Sequence, residues 1–139
     1  PGGRAYVYFI YGMYYCFNIS ANRPGEPEGV LIRALKPLEG VEIMKRRYLA
    51  FQRGKAAPEK AAPPREDALC SGPGKLCRAM GIDKSHYGRD LTAAYGLRVE
   101  QSPDGAVDGG RIVTAPRINI DYAGEAKDWL WRFVYINND

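Results

Sequence analysis

The chain holds a single histidine, His86, and three cysteines, Cys16, Cys70 and Cys77, with no CxxC spacing among them. Such a set does not furnish a zinc site, which needs several N or S ligands at short paired spacings. An odd number of thiols also argues against a disulfide framework and fits a reducing compartment. There Cys16 on a strand and Cys77 on a helix serve as small buried hydrophobes. No apolar run is long enough to span a bilayer, and no signal-peptide pattern opens the sequence. Internal repeats and coiled-coil heptads are lacking too. Neither sign of charge dominates: a net charge of +4 over 139 residues permits a polyanionic partner without requiring one.

Tyrosine, by contrast, is plentiful, and five of the ten lie in one stretch, AYVYFIYGMYYCFNIS from Ala5 to Ser20. Its other residues are largely β-branched or aromatic, which favours extended strands. Gly12 interrupts the run, so the pattern predicts a hairpin with strands Ala5 to Ile10 and Tyr14 to Ile19. The turn falls around Tyr11, Gly12 and Met13. Alternation puts Tyr6, Tyr8 and Ile10 on one face and Val7 and Phe9 on the other. Tyr11 and Met13 sit at the tip, where a turn exposes them. A plainer reading is a core strand of a sandwich, its tyrosines chosen for β-propensity alone.

A hydrophobic content of 45% against 26% charged residues is that of a globular protein, and the length suits one domain spanning 1–139. After a Pro/Gly loop at 21–28, Gly29 to Leu35 reads as a strand with Arg33 as a charge in its middle. That arginine is either a snorkelling residue on a half-exposed strand or a guanidinium held for a phosphate or carboxylate. Val41, Met44, Tyr48 and Phe51 recur at helical spacing, which predicts a helix opened by Pro37 and Glu39 and ended by Gly54. Its basic face is ordinary solvated surface or a phosphate contact. Residues 54–65 look like a mobile surface loop.

A second helix is expected over Ser71 to Gly81, with Ser71 as N-cap, Pro73 in the first turn and Gly81 as the stop. Leu76, Cys77 and Met80 would face the core. Its Gly72-Pro73-Gly74-Lys75 opening is either an ordinary capped start or a place where free amides and Lys75 meet an anion. His86 lies in a polar turn and reads as a surface residue. Short strands are expected at Leu97 to Glu100, Arg111 to Ala115, Arg117 to Asp121 and Trp131 to Ile136. Turns are expected at SPDGAVDGG (102–110) and at Asp121 to Glu125.

Four blocks are specific in combination: the tyrosine stretch, GVLIRALKPLEG at 29–40, SGPGKLCRAMGI at 71–82 and PRINIDYAGEAKDWLWRF at 116–133. In that order they resemble the alkyladenine (3-methyladenine) DNA glycosylase family. The resemblance implies base-excision repair: an alkylated purine is flipped out of duplex DNA and its N-glycosidic bond hydrolysed, with no cofactor or metal. It implies Tyr8 as the stacking platform for the flipped base, Asn18 as the residue that rejects an exocyclic 2-amino group, and Leu31 as pocket lining. Arg33 would position the nucleotide and the attacking water, and the Ile118 carbonyl would help hold that water. Tyr11, Met13, Tyr14, Gly74 and Lys75 would meet DNA, with Tyr11 entering the base stack.

The family's catalytic glutamate lies on a segment preceding the hairpin, so the general base is expected outside this chain. Glu26, Glu28, Glu39, Glu42, Glu125 and Asp128 all fall in loops, turns or a helix start, where position and pKa are poorly controlled. This chain alone is therefore expected to be inactive.

The fold class expected is α+β, a curved, mainly antiparallel sheet with a protruding tyrosine-rich hairpin and helices packed on one side. The partner expected is double-stranded DNA carrying alkylated bases, met by a monomer in the cytoplasm, nucleoid or nucleus, with no membrane. Two other classes stay open. One is a non-catalytic module of the same fold that binds distorted or single-stranded nucleic acid. The other is a structural β-domain, which a buried Tyr11 would favour.

Overall fold

The computed structural model describes residues 1–54, 62–103, 105 and 111–136. It is a mixed α+β chain with two antiparallel sheets, and it divides into two compact units, Pro1–Val99 and Glu100–Asp139. In the first unit, β1 (Ala5–Ile10) pairs with β2 (Tyr14–Ala21), which pairs with β3 (Glu28–Leu31). The register runs from Ala5 opposite Ile19 to Ile10 opposite Tyr14, and Asn18 stands opposite Leu31. Strand alternation then fixes burial: Ala5 and Val7 are buried while Tyr6 is exposed.

Helix α1 (Val41–Arg53) buries Met44 and half-buries Val41, Tyr48 and Phe51, as the three-four-three spacing predicts. A short α2 (Glu66–Leu69), which sequence patterning does not reveal, precedes α3 (Pro73–Met80). Helix α3 packs on β2, and α1 packs on α3. Leu76, Cys77 and Ala79 seal the contact and join Val7, Phe17, Leu69, Cys70 and Leu91 in the core. Gly81 ends α3 in the left-handed conformation at φ 72°, which a residue with a Cβ adopts only at a cost. A 3-10 turn at Lys84–His86 lies against β1, capped by the Asp83 carboxylate through Ser85.

Several expectations fail for identifiable reasons. The strand expected over Gly29 to Leu35 stops at Leu31, because the chain leaves the sheet to meet the loop before α3. There Ala34 bridges Ser71, and the Gly72 N–H donates to the Arg33 carbonyl at 3.0 Å. That bridge engages Ser71, so Gly72, not Ser71, is the N-cap, and no side chain caps the helix. Met80 points outward and Ala79 takes its expected place in the core. Residues 97–100 form no strand.

The second unit contains β4 (Ile112–Ala115) paired with β5 (Arg132–Tyr135), Ile112 opposite Tyr135. Arg117 to Asp121 is not a strand. Asn119 turns to φ 58°, and Asp121–Lys127 forms 3-10 turns kinked at Gly124 in place of the simple turn expected at 121–125. The single curved sheet expected is thus two sheets, one per unit. Of the expected loop at 54–65, residues 55–61 lie outside the described residues, as do 104 and 106–110 of the turn at 102–110.

Candidate nucleic-acid interface

The turn joining β1 to β2 is built on two successive positive-φ residues, Tyr11 at 53° and Gly12 at 65°, with the Met13 N–H donating to the Ile10 carbonyl at 3.2 Å. Positive φ at adjacent turn positions matches the right-handed twist of the flanking strands, which is why hairpins favour it. Glycine takes it freely, but for tyrosine it is strained by about 1–2 kcal/mol. Nothing in packing compensates, since the Tyr11 side chain is 80% exposed and Met13 beside it 47%. A structural β-domain with ordinary tyrosines would have buried this ring.

Below the tip, the register collects the expected pocket residues on one sheet face. Tyr6 and Tyr8 are two apart on β1, with ring centroids 5.6 Å apart. Asn18 is opposite Tyr6 and Leu31 opposite Asn18. Asn18 donates its side-chain N–H to the Tyr6 carbonyl at 3.2 Å, which fixes the amide plane. Arg33 follows, half-buried, with its backbone tied to Gly72. Its guanidinium makes no ion pair among the described residues, leaving its fork of donors for a planar or tetrahedral anion.

Gly74 and Lys75 lie in the first turn of α3. Lys75 is exposed and in no ion pair among the described residues. Tyr14 is not free surface: it is half-buried against Gly74, with the Phe51 ring 6.3 Å away and the Arg78 guanidinium carbon 5.6 Å from its ring. A cleft of about 300 Å³ opens here between Met13, Tyr14, Phe51 and Arg78. Neither the cleft nor the Tyr14 seat is legible in the sequence, because both join residues some sixty positions apart. Ile118 belongs to the second unit, in a bend before Asn119, with its side chain exposed. Beside it Arg117 donates to the Ala126 carbonyl at 3.2 Å and lies 5.3 Å from the Trp131 ring.

Among the described residues no charged side chain is buried, and no group of acids, cysteines and histidines could hold a metal ion. Asp83 and Asp90 are held below the usual carboxylate range, chiefly by hydrogen bonds from Ser85 and Thr92 respectively. Burial raises both the Cys70 thiol and the Cys77 thiol, the latter to about 12. Those two thiols therefore stay protonated and inert near neutral pH. No helix among the described residues is long and apolar enough to cross a membrane.

Comparison with known proteins adds a family to this geometry. The family model described as methylpurine-DNA glycosylase (MPG) matches residues 1–139. A Clostridium tetani protein named "Putative 3-methyladenine DNA glycosylase" is 46% identical over 136 residues, covering 98% of this chain and 63% of that relative. A Clostridium acetobutylicum protein of the same name is 46% identical over 138 residues, covering 99% and 63%. One from Desulfitobacterium hafniense, also so named, is 45% identical over 131 residues, covering 94% and 60%. The chain thus spans less than two thirds of the length of these relatives.

Proposed function

This chain belongs to the methylpurine-DNA glycosylase family, and on that premise we propose that it is the DNA-reading and nucleotide-holding part of a base-excision repair enzyme. In this reading the enzyme flips an alkylated purine of the 3-methyladenine type out of the duplex and hydrolyses its N-glycosidic bond. The observation that carries the proposal is Tyr11, a strained aromatic at a tip where its ring is 80% exposed. The turn requires a positive φ at this position but not a tyrosine, so a ring kept there at a cost points to a bound state that uses it. A ring at a hairpin tip can occupy the gap left by an extruded nucleotide, and base–aromatic stacking is worth about 1–3 kcal/mol.

The remaining roles are those that the family resemblance implies. Tyr8 stacks the flipped base, Leu31 lines its pocket, and the fixed Asn18 amide excludes a 2-amino substituent. Arg33 holds the nucleotide and the attacking water by its guanidinium, which makes no ion pair among the described residues, and Lys75 meets the phosphate backbone. A purine alkylated at N3 or N7 leaves as a neutral base, so the leaving group needs little help and water needs a general base. A useful base has a pKa near the working pH, which for a carboxylate means burial. The described carboxylates are unburied, and the two that shift are shifted downward. No described carboxylate meets that requirement, and the family resemblance implies a general-base glutamate on a segment preceding the hairpin.

The test compares the natural full-length protein with residues 1–139 on duplex containing 3-methyladenine or 7-methylguanine. The full-length protein should release the base and the chain alone should not, a positioned general base being worth about 10²–10⁴-fold. Excision by the chain at a comparable rate would place the base among the acids within residues 1–139. The same shortage of confined acids favours a second reading, a non-catalytic module that binds distorted or single-stranded nucleic acid. Lesion binding by the full-length protein without release would establish it.

A further inference from the structure

Gly74 occupies a helical position that any residue could adopt, and glycine there costs about 0.5–1 kcal/mol relative to alanine. The neighbourhood explains its presence. A Cβ at Gly74 would lie 2.8 Å from Cδ1, 3.0 Å from Cγ and 3.2 Å from Cβ of Tyr14. These atoms are the root of the ring, not the movable end of a long side chain. The ring is confined from elsewhere as well: Phe51 flanks it, and Arg78 spans the pair, its guanidinium carbon 3.4 Å from the Phe51 centroid and 5.6 Å from that of Tyr14. Tyr14 is also the first residue of β2, paired with Ile10 immediately after the turn that carries Tyr11 and Met13.

We propose that Gly74 and Tyr14 form a seat that locks the hairpin tip to the start of α3, so that Tyr11 and Lys75 reach DNA as one rigid unit. Both are then positioning residues, not themselves contacts with DNA. This inference rests on the DNA-binding reading above. A preset distance between intercalating ring and phosphate-binding cation lets both contacts form without an ordering cost at the moment of binding. A methyl group on Gly74 pushes the Tyr14 ring aside and swings the tip, so the two contacts no longer form together.

The test uses the natural full-length protein and a duplex bearing an abasic analogue, read by fluorescence anisotropy. Gly74→Ala should weaken binding about tenfold, the worth of one stacking contact. In that background Tyr11→Ser should cost less than about twofold more, against about tenfold in the wild type. Adding Tyr14→Ala to Gly74→Ala should restore part of the affinity, since the Cγ and Cδ1 atoms that collide are gone and the two methyl groups meet across the seat in place of the ring. If Gly74 is instead needed for close approach of its own backbone to a phosphate, the methyl still blocks and no rescue occurs. That result, or unchanged binding by Gly74→Ala, overturns the proposal. Thermal melts of the two single variants and the double variant read the seat without DNA: the double should melt higher than the summed single losses require. If the wild type shows no preference for the abasic analogue over undamaged duplex, the DNA-binding reading fails. Non-additive melts in that case would retain the steric seat and remove its role at DNA.

Discussion

Replacing Tyr11 by asparagine should move folding stability and DNA affinity in opposite directions. Tyr11 sits at φ 53° with its ring 80% exposed, so the free protein holds strain there with little packing among the described residues to offset it. The left-handed conformation costs an ordinary L-residue about 1–2 kcal/mol, and asparagine tolerates it because its short amide bonds locally. Tyr11→Asn should therefore stabilise the free protein by up to about 1 kcal/mol, a rise in Tm of about 3–5 °C at this size. Losing one stacked ring costs about 1–3 kcal/mol in the complex, so binding to an abasic-analogue duplex should weaken tenfold or more. Calorimetric or CD melts paired with anisotropy titrations measure both arms on one sample. A lower Tm would mean that the ring packs on its own protein, and unchanged affinity would mean that the tip stays clear of DNA. Either result refutes the reasoning.

Other outcomes follow from the same geometry. Lys75→Ala should reduce the magnitude of the slope of log K against log salt by about one, evenly over sequences, whereas Arg33→Ala should depress lesion affinity or turnover with a smaller change in slope. Salt titrations of the three proteins separate the two, and identical slopes for wild type and Lys75→Ala would remove Lys75 from the interface. Cys16, Cys70 and Cys77 should resist a thiol reagent at pH 8 until denaturant is added, because all three are buried. The Cys77 thiol, raised to about 12 by burial, adds an alkaline limb to stability. Its folded pKa exceeds the unfolded 9.0, so the contribution is whole below about pH 9 and falls as pH rises toward 12, visible in melts across that range. Gly81→Ala should destabilise by about 1–2 kcal/mol, since φ there is 72° and the new Cβ would meet the Arg47 guanidinium at 2.9 Å. Arg47 donates to the Ala79 carbonyl at 2.8 Å, so Arg47→Met should lower Tm as well, and unchanged melts would deny the cap its role.

What could be read from the sequence were the elements whose signals are local. The β1–β2 register follows from alternating bulky residues around one glycine, and α1 follows from four apolar residues at helical spacing. The errors fall where a partner remote in sequence decides. RINID alternates like a strand, yet Asn119 at φ 58° turns the chain before any partner is met. GVLIRAL is apolar enough to continue, yet the loop before α3 takes up the Arg33 carbonyl and Ala34. In α3 it is Ala79, not Met80, that is buried, because helical periodicity alone cannot say which edge of a stripe meets β2.

The candidate site divides along the same line, and this bears on how its residues should be assigned. Tyr8, Asn18 and Leu31 come together by strand pairing, so a motif read along the sequence already implies their neighbourhood. Gly74 and Tyr14 come together only when α3 docks on β2, and a motif reading therefore treats each as an independent contact with DNA. A glycine at a helix start invites that reading, since it permits close approach by a backbone or by a ligand. Geometry distinguishes the two cases by asking what a methyl group would strike. At Gly12 it strikes nothing within 4 Å, and the positive φ alone accounts for glycine. At Gly74 the backbone demands nothing and the Tyr14 ring stands 2.8 Å away, so the close approach that this glycine permits is already filled by the protein's own hairpin.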